Sequence, residues 1–188
     1  MTTTHLPASL TGTYHFDVAH TRIGFAARHA MVTKVRGSVD EFVGAGYLDA
    51  ENPANSHVTL TITASSIDTR NADRDAHLRS NDFFDMETYP QITFASTAIE
   101  QIGDTAFRVS GDLTIKDVTR PVTIDFDYTG AAVDPYGQQR VGFEGSTVVN
   151  RKDWGVNWNA ALEAGGVLVS ENVTLEFEIS AIRDAATA

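Results

Sequence analysis

The chain has 188 residues, of which 42% are hydrophobic and 21% charged, and its 25 Asp and Glu against 14 Lys and Arg give a formal charge of −11. That is enough chain for one domain with a real core, and its acidity disfavours nonspecific binding to nucleic acid. The absence of cysteine excludes disulfides, thiol catalysis and Cys-ligated metal.

From the N-terminus, MTTTHLPASLTGTYHF has neither the positive nor the apolar section of a secretory signal, and no later run approaches the ~20 apolar residues of a membrane-spanning helix. The expected compartment is therefore the cytoplasm. Residues 1–11 are expected to form a flexible leading segment. Strand-like segments follow at 12–18, 22–29 and 32–43. Within them, residues 18–39 contain no Asp or Glu but carry Arg22, Arg28, Lys34 and Arg36. Parity sets these four cations opposite Ile23, Phe25 and Ala27, so on an outer face. Two readings stay open: a plain basic outer face, or a contact with something anionic, since long side chains near a rim can curl toward a mouth.

GAGYLD at 44–49 reads as a strand turn; without a following helix it is not a dinucleotide loop. Alternation is clean in HVTLTIT, where Val58, Leu60 and Ile62 oppose threonines. The pattern then breaks. Over about 71–80, Asn71 can cap a short helix with Asp73 and Asp75 in its first turn and Arg79 near its end. Phe83 and Phe84 follow and should tuck against the mouth or wall of the sheet.

Period two resumes at 91–98 and in FRVSGDLTIK, with Phe107, Val109, Leu113 and Ile115 on one face. KDVTRP at 116–121 reads as a turn. VTIDFDY, the segment 139–149 and VTLEFEIS complete the series, and residues 183–188 are expected to fray. Both tryptophans lie in VVNRKDWGVNWN, beside Arg151. Trp154 is read either as a plug at one end of the fold or as the lip of a ligand cavity.

Eight or nine strands with one wet face each indicate a largely antiparallel all-β protein. Strands of about ten residues favour a closed barrel over a sandwich, and eight strands leave room for filled side chains or one small ligand. The six histidines show no metal-ligand spacing, and no nucleophile elbow or acid–base pair is evident. His29 keeps the parity of Phe25 and so faces inward, either as a buried neutral histidine or as a headgroup contact. His77 is read as structural.

Four stretches together resemble the YceI-like family of lipocalin-like barrels: HTRIGFAARHAMVTKVRGSVDEF, DTRNADRDAHLRSNDFFDMETYPQITF, GDLTIKDVTRPVTIDF and NRKDWGVNWN. They keep the family's order and span residues 12–182, taken as one barrel domain. The resemblance implies an extended eight-stranded antiparallel barrel with one short helix on a strand connection. It also implies a cavity for a polyisoprenoid-type lipid, such as a polyprenyl phosphate or an isoprenoid quinone. The function so implied is that of a lipid carrier or store, not an enzyme; the alternative is an enzyme acting on an apolar substrate in the same cavity. The residues expected to touch the lipid are Phe25, His29, Leu60, Ile62, Phe84, Phe94, Phe107, Leu113, Ile124, Phe126, Trp154 and Phe177, with Arg28, Lys34 and Arg151 as headgroup candidates. No cofactor and no metal is expected beside the lipid. The remaining partners considered are an anionic membrane surface, met transiently, and a second copy in a homodimer.

Overall fold

A computed structural model describes residues 5–186. The alternating segments all become strands: β1 (Gly12–Phe16), β2 (Arg22–His29), β3 (Thr33–Val39), β4 (Phe42–Leu48), β5 (His57–Thr63) and β6 (Ile67–Asp68) precede the helix. After α1 (Ala72–Arg79) come β7 (Gln91–Gln101), β8 (Ala106–Ile115), β9 (Val118–Val133), β10 (Gln139–Asn150) and β11 (Val169–Arg183). The helix starts where expected. The Asn71 side chain accepts the Arg74 N–H at 2.9 Å, satisfying one of the unpaired first-turn donors.

Neighbours run β1-β4-β5-β7-β8-β9-β10-β11, and β1 pairs back onto β11, so eight antiparallel strands close into a barrel. The other three short strands extend this ring. β2 continues β1 along the same edge of β11, β3 leads into β4 and pairs with β2, and β6 continues β5 beside β3. Three staves are therefore each broken in two. The 15-residue β11 runs unbroken beside β1 and β2, and the 16-residue β9 lies between β8 and β10, each about 50 Å of extended chain that must twist around a narrow lumen.

Two expectations need correction. Residues 32–43 do not form one strand, because the strand is interrupted at Asp40 and Glu41 between β3 and β4. GAGYLD is not a turn: Gly44 and Gly46 lie inside β4. They serve close approach. A Cβ on Gly44 would stand 2.2 Å from the Phe16 ring, and one on Gly46 2.5 Å from the His57 carbonyl. The turn expected over 116–121 shrinks to Lys116 and Asp117, both at positive φ, and Pro121 already pairs with Asp112 inside the β8–β9 ladder.

One barrel end is plugged. Leu6 and Leu10 pack with Tyr14, Ala50, Phe107, Val141 and Ala181, and the Tyr14 hydroxyl donates to the Leu10 carbonyl at 2.7 Å. The leading segment from residue 5 is thus packed instead of free, because two leucines four apart cover the open end of the sheet. Residues 1–4 lie outside the described residues. So do 187–188 of the tail, which remains paired through Asp184, whose N–H donates to the Thr13 carbonyl.

At the break between β1 and β2, Arg140 donates to Asp17 at 2.7 Å and to Asp134 at 2.9 Å. Arg140 first and His20 second hold the Asp17 carboxyl down at about 2, against an ordinary 3.8. A carboxyl depressed on folding stabilises the fold above its unfolded value and loses that contribution as pH falls through the folded one. Arg140→Gln is therefore expected to lower the urea midpoint at neutral pH. The gap from wild type should close as pH falls from about 4 toward 2, and denaturation curves across that window check it.

Candidate functional site: an apolar channel inside the barrel

Every second side chain of a barrel strand points inward, and here the inward set is almost wholly hydrocarbon. It encloses a cavity of about 220 Å³, whose polar lining side chains are Thr93 and Arg151. A second chamber of about 130 Å³ lies toward the plugged end and shares Phe16, Val58, Val109, Phe126 and Ile179 with the first. The two form one channel narrowed at that ring.

Large aromatics inside so narrow a barrel would normally fill it. Here they lie down on glycines of the neighbouring strand. A Cβ on Gly37 would meet the Phe25 ring at 2.4 Å, on Gly44 the Phe16 ring at 2.2 Å, on Gly111 the Phe94 ring at 2.4 Å, and on Gly145 the Phe126 ring at 2.7 Å. Phe25 and Gly37, and Phe126 and Gly145, are direct cross-strand partners. Each glycine takes the thickness of a ring that would otherwise project into the channel.

The end away from the plug is roofed by two connections. One is the turn after α1, bringing Phe83 and Phe84; the other runs from β10 to β11, with Trp154, Val156 and Trp158. His77, Phe83 and Trp158 form a three-ring contact with centroids 4.6 to 5.3 Å apart. His77 also bonds Asp82 at 2.8 Å, a structural role as expected. Trp154 is 2% exposed, and its indole N–H donates to the Leu113 carbonyl at 2.8 Å, so it is at once a plug and a lining residue. Arg151 is buried beneath it. Its guanidinium donates to the carbonyls of Val156, Val169 and Ser170. Burial lowers its pKa, and Glu171 opposes that shift.

Phe25, Leu60, Ile62, Phe84, Phe94, Leu113, Ile124, Phe126, Trp154 and Phe177 all line the larger cavity, and Phe107 lines the smaller one. His29 does not face inward. It is exposed as the last residue of β2, where the strand leaves the barrel wall. Arg28 and Lys34 are exposed, pair directly across β2 and β3 on the outer face, and line neither chamber, so Arg151 is the cation that does. Ile23, Ala27 and Val109 were readable from parity but not singled out. Leu78 reaches the channel from α1 and Val156 from the irregular β10–β11 connection, neither of which carries the strand period. Among the described residues no three His, Cys, Asp or Glu side chains converge as a metal site.

The model of the YceI-like domain matches residues 14–181. UPF0312 proteins of Staphylococcus epidermidis and Staphylococcus aureus are 42% and 39% identical over 169 residues, covering 89% of this chain and 95% of theirs. Among solved structures the chain resembles Burkholderia cenocepacia BcnA, with TM-score 0.78, 24% identity, and coverage of 88% of this chain and 98% of that one. It resembles a Campylobacter jejuni YceI protein, with TM-score 0.73, 25% identity, and coverage of 84% and 90%. It also resembles a polyisoprenoid binding domain from Saccharophagus degradans, with TM-score 0.68, 14% identity, and coverage of 91% and 98%.

The ring-on-glycine arrangement is testable. The atoms nearest a new Cβ at Gly37 are side-chain ends, those of Phe25 and Thr69, so Gly37→Ala is relieved by rotating Phe25 into the channel. It should cost only about 1 kcal/mol of stability and reduce uptake of a fluorescent apolar probe, and adding Phe25→Leu should restore uptake. At Gly111 the new atom also meets the Ala95 carbonyl at 2.5 Å, so Gly111→Ala should destabilise more. Thermal melts and probe titrations of the three variants check both statements.

Proposed function

The chain belongs to the YceI-like family, and from its dry channel we propose that it holds a long apolar lipid of isoprenoid type as a carrier or store. The observation that carries this reading is a cavity of about 220 Å³ bounded by hydrocarbon and continued by a second chamber. An apolar cavity of ~150 Å³ already stays dry and takes up a benzene-sized molecule. Each CH₂ moved out of water contributes ~0.8 kcal/mol, so a tail of ~20 carbons offers on the order of 10 kcal/mol before ordering costs. The likeness to a polyisoprenoid binding domain supports the class of ligand. A polyprenyl phosphate and an isoprenoid quinone both fit it. For an anionic headgroup, Arg151 is the cation that borders the channel.

The reading is non-catalytic. A reactive polar pair facing the larger cavity would favour an enzyme, and its polar lining side chains are Thr93 and an Arg151 engaged by three carbonyls.

Purified protein is expected to release an isoprenoid lipid on solvent extraction, with the matching mass shift in native mass spectrometry. Apo protein that takes up neither a polyprenyl nor a quinone probe would remove this function. Phe126→Asp and Leu113→Asp place a carboxylate in the dry channel, which costs several kcal/mol or forces protonation, so both should abolish uptake and lower stability. The matched control is Asp125→Asn on the wet face, where Asp125 is held by Arg108 at 2.8 Å. It should leave probe uptake unchanged, and equal effects at 125 and 126 would show the two faces to be reversed.

A further inference from the structure

The hairpin joining β2 to β3 exposes its apolar side chains, with the Met31 sulfur laid over Gly166 of the neighbouring loop. Met31 is 63% exposed and Val32 73%, at the tip of an otherwise acidic protein. Ala30 and Met31 hold φ of 50° and 62°, a backbone region that non-glycine residues rarely adopt, and the turn is closed by the Val32 N–H on the His29 carbonyl. The neighbouring loop adds Val167, 38% exposed, and the Ala30 N–H donates to the Leu168 carbonyl at 2.7 Å. That loop runs back to Trp154 and the channel roof, so the tip adjoins the end of the barrel away from the plug.

Directly behind the tip stand Arg28 and Lys34, paired across the two strands, and then Arg36. Like charges set opposite each other repel. Arg22, at the far end of the stretch, is answered by Glu176 at 3.1 Å. Among the described residues, Arg28, Lys34 and Arg36 have no carboxylate within ion-pair distance. The adjoining loop contributes two acids, Asp153 and Glu163, and Glu171 at the start of β11 is taken by Lys152 at 2.7 Å. Three unanswered cations behind two exposed hydrophobic side chains match a surface that is anionic in front and apolar beneath.

We propose that the Ala30–Val32 tip docks the protein on an anionic lipid bilayer, with Met31 and Val32 entering the headgroup layer and Arg28, Lys34 and Arg36 meeting the charged headgroups. Docking there brings the roofed end of the channel to the membrane. The purpose of the contact rests on the lipid-holding function, but its measurement does not. A solvated basic face would need cations only, and the apolar tip ahead of them is what separates the two readings.

Vesicle co-sedimentation tests it, using mixed phosphatidylglycerol–phosphatidylcholine vesicles against phosphatidylcholine alone. Wild type should bind the mixed vesicles at low salt and less at physiological salt, where exposed charges are screened over ~8 Å. Met31→Ser with Val32→Ser should weaken binding about tenfold or more. Arg28→Gln, Lys34→Gln and Arg36→Gln should weaken it roughly fivefold per cation removed, with melting temperatures confirming that each variant folds. Equal binding to both vesicle types, no binding at low salt, or unchanged binding by the serine variant overturns the proposal. So does a wild-type dimer, seen by analytical ultracentrifugation, that the serine variant dissociates while vesicles pellet neither; the tip would then serve a second copy of the chain. Lipid extraction from the same preparations reads the channel separately. Vesicle binding without extractable lipid keeps the tip and removes the carrier function, and the reverse result does the opposite.

Discussion

An eight-stranded barrel is narrow enough that its own side chains can fill it, and the fold stays hollow here because aromatic rings lie on cross-strand glycines. Phe16 on Gly44, Phe25 on Gly37, Phe94 on Gly111 and Phe126 on Gly145 place four rings flat against the wall. Glycine inside a strand is unfavourable taken alone, through backbone entropy and the absence of packing. A ring covering that bare backbone recovers buried area and shields the ladder hydrogen bonds. The pairs therefore offset a local weakness and create the lumen in one step. With alanine at the glycines, the same phenylalanines would have to stand into the space that the lipid is proposed to occupy.

The two ends of the lumen are closed by different physics. At the plugged end, Leu6, Leu10 and Tyr14 pack where β1, β11 and β4 are joined by ladder hydrogen bonds. At the roofed end there is no such ladder. α1 is tied on by side chains, with Arg74 on Thr69 and Arg79 on the carbonyls of Ser65 and Ile67. The second connection is held by Arg151, Asn159 and ring contacts. Local opening is cheapest where few backbone hydrogen bonds and few buried contacts must be broken together. The roofed end is thus the weaker closure, and it is the end next to Arg151 and the β2–β3 hairpin.

Period two revealed the strands and their faces, because alternation is a direct imprint of a half-buried sheet. Leu113 against Asp112, and Phe126 against Asp125, could be assigned inside and outside by parity alone. Asn71 was legible as a cap because its side chain does the same local job in any fold. Parity, however, fixes the face and not the height along the barrel axis. His29 shares the parity of Phe25, yet the strand ends there and its ring meets solvent; Phe107 faces inward but reaches only the far chamber. Gly44 and Gly46 looked like turn residues because the ring and the carbonyl that need their missing Cβ atoms come from other strands. Leu78 on α1 and Val156 on the β10–β11 connection were illegible as lining residues for the same reason: where a short helix or an irregular connection docks is decided by tertiary contacts, which leave no strand period in the chain.

Charge is segregated in a way that follows from the barrel itself. An interior of hydrocarbon leaves the outer face to carry nearly every polar group, and at several places on that face cations and acids pair: Arg108 bonds Asp125, Arg140 bonds Asp17 and Asp134, and Lys152 bonds Glu171. The exposed pairs among these, Arg108–Asp125 and Lys152–Glu171, add little stability, but each cancels charge locally. The stretch from Val18 to Val39 contains no acid of its own, and its β2–β3 half is flanked by β11 on one side and by the two-residue β6 at the Ser38–Val39 end on the other. Of the three glutamates in β11, Glu176 reaches Arg22 and Glu171 is bonded to Lys152, while Arg28 and Lys34 lie nearer the tip, with the Arg28 N–H on the Ser170 hydroxyl. Arg28, Lys34 and Arg36 are therefore gathered at one corner of the roofed end with the neighbouring acids of β11 engaged elsewhere, and the hairpin tip leaves Met31 and Val32 without a strand to cover them.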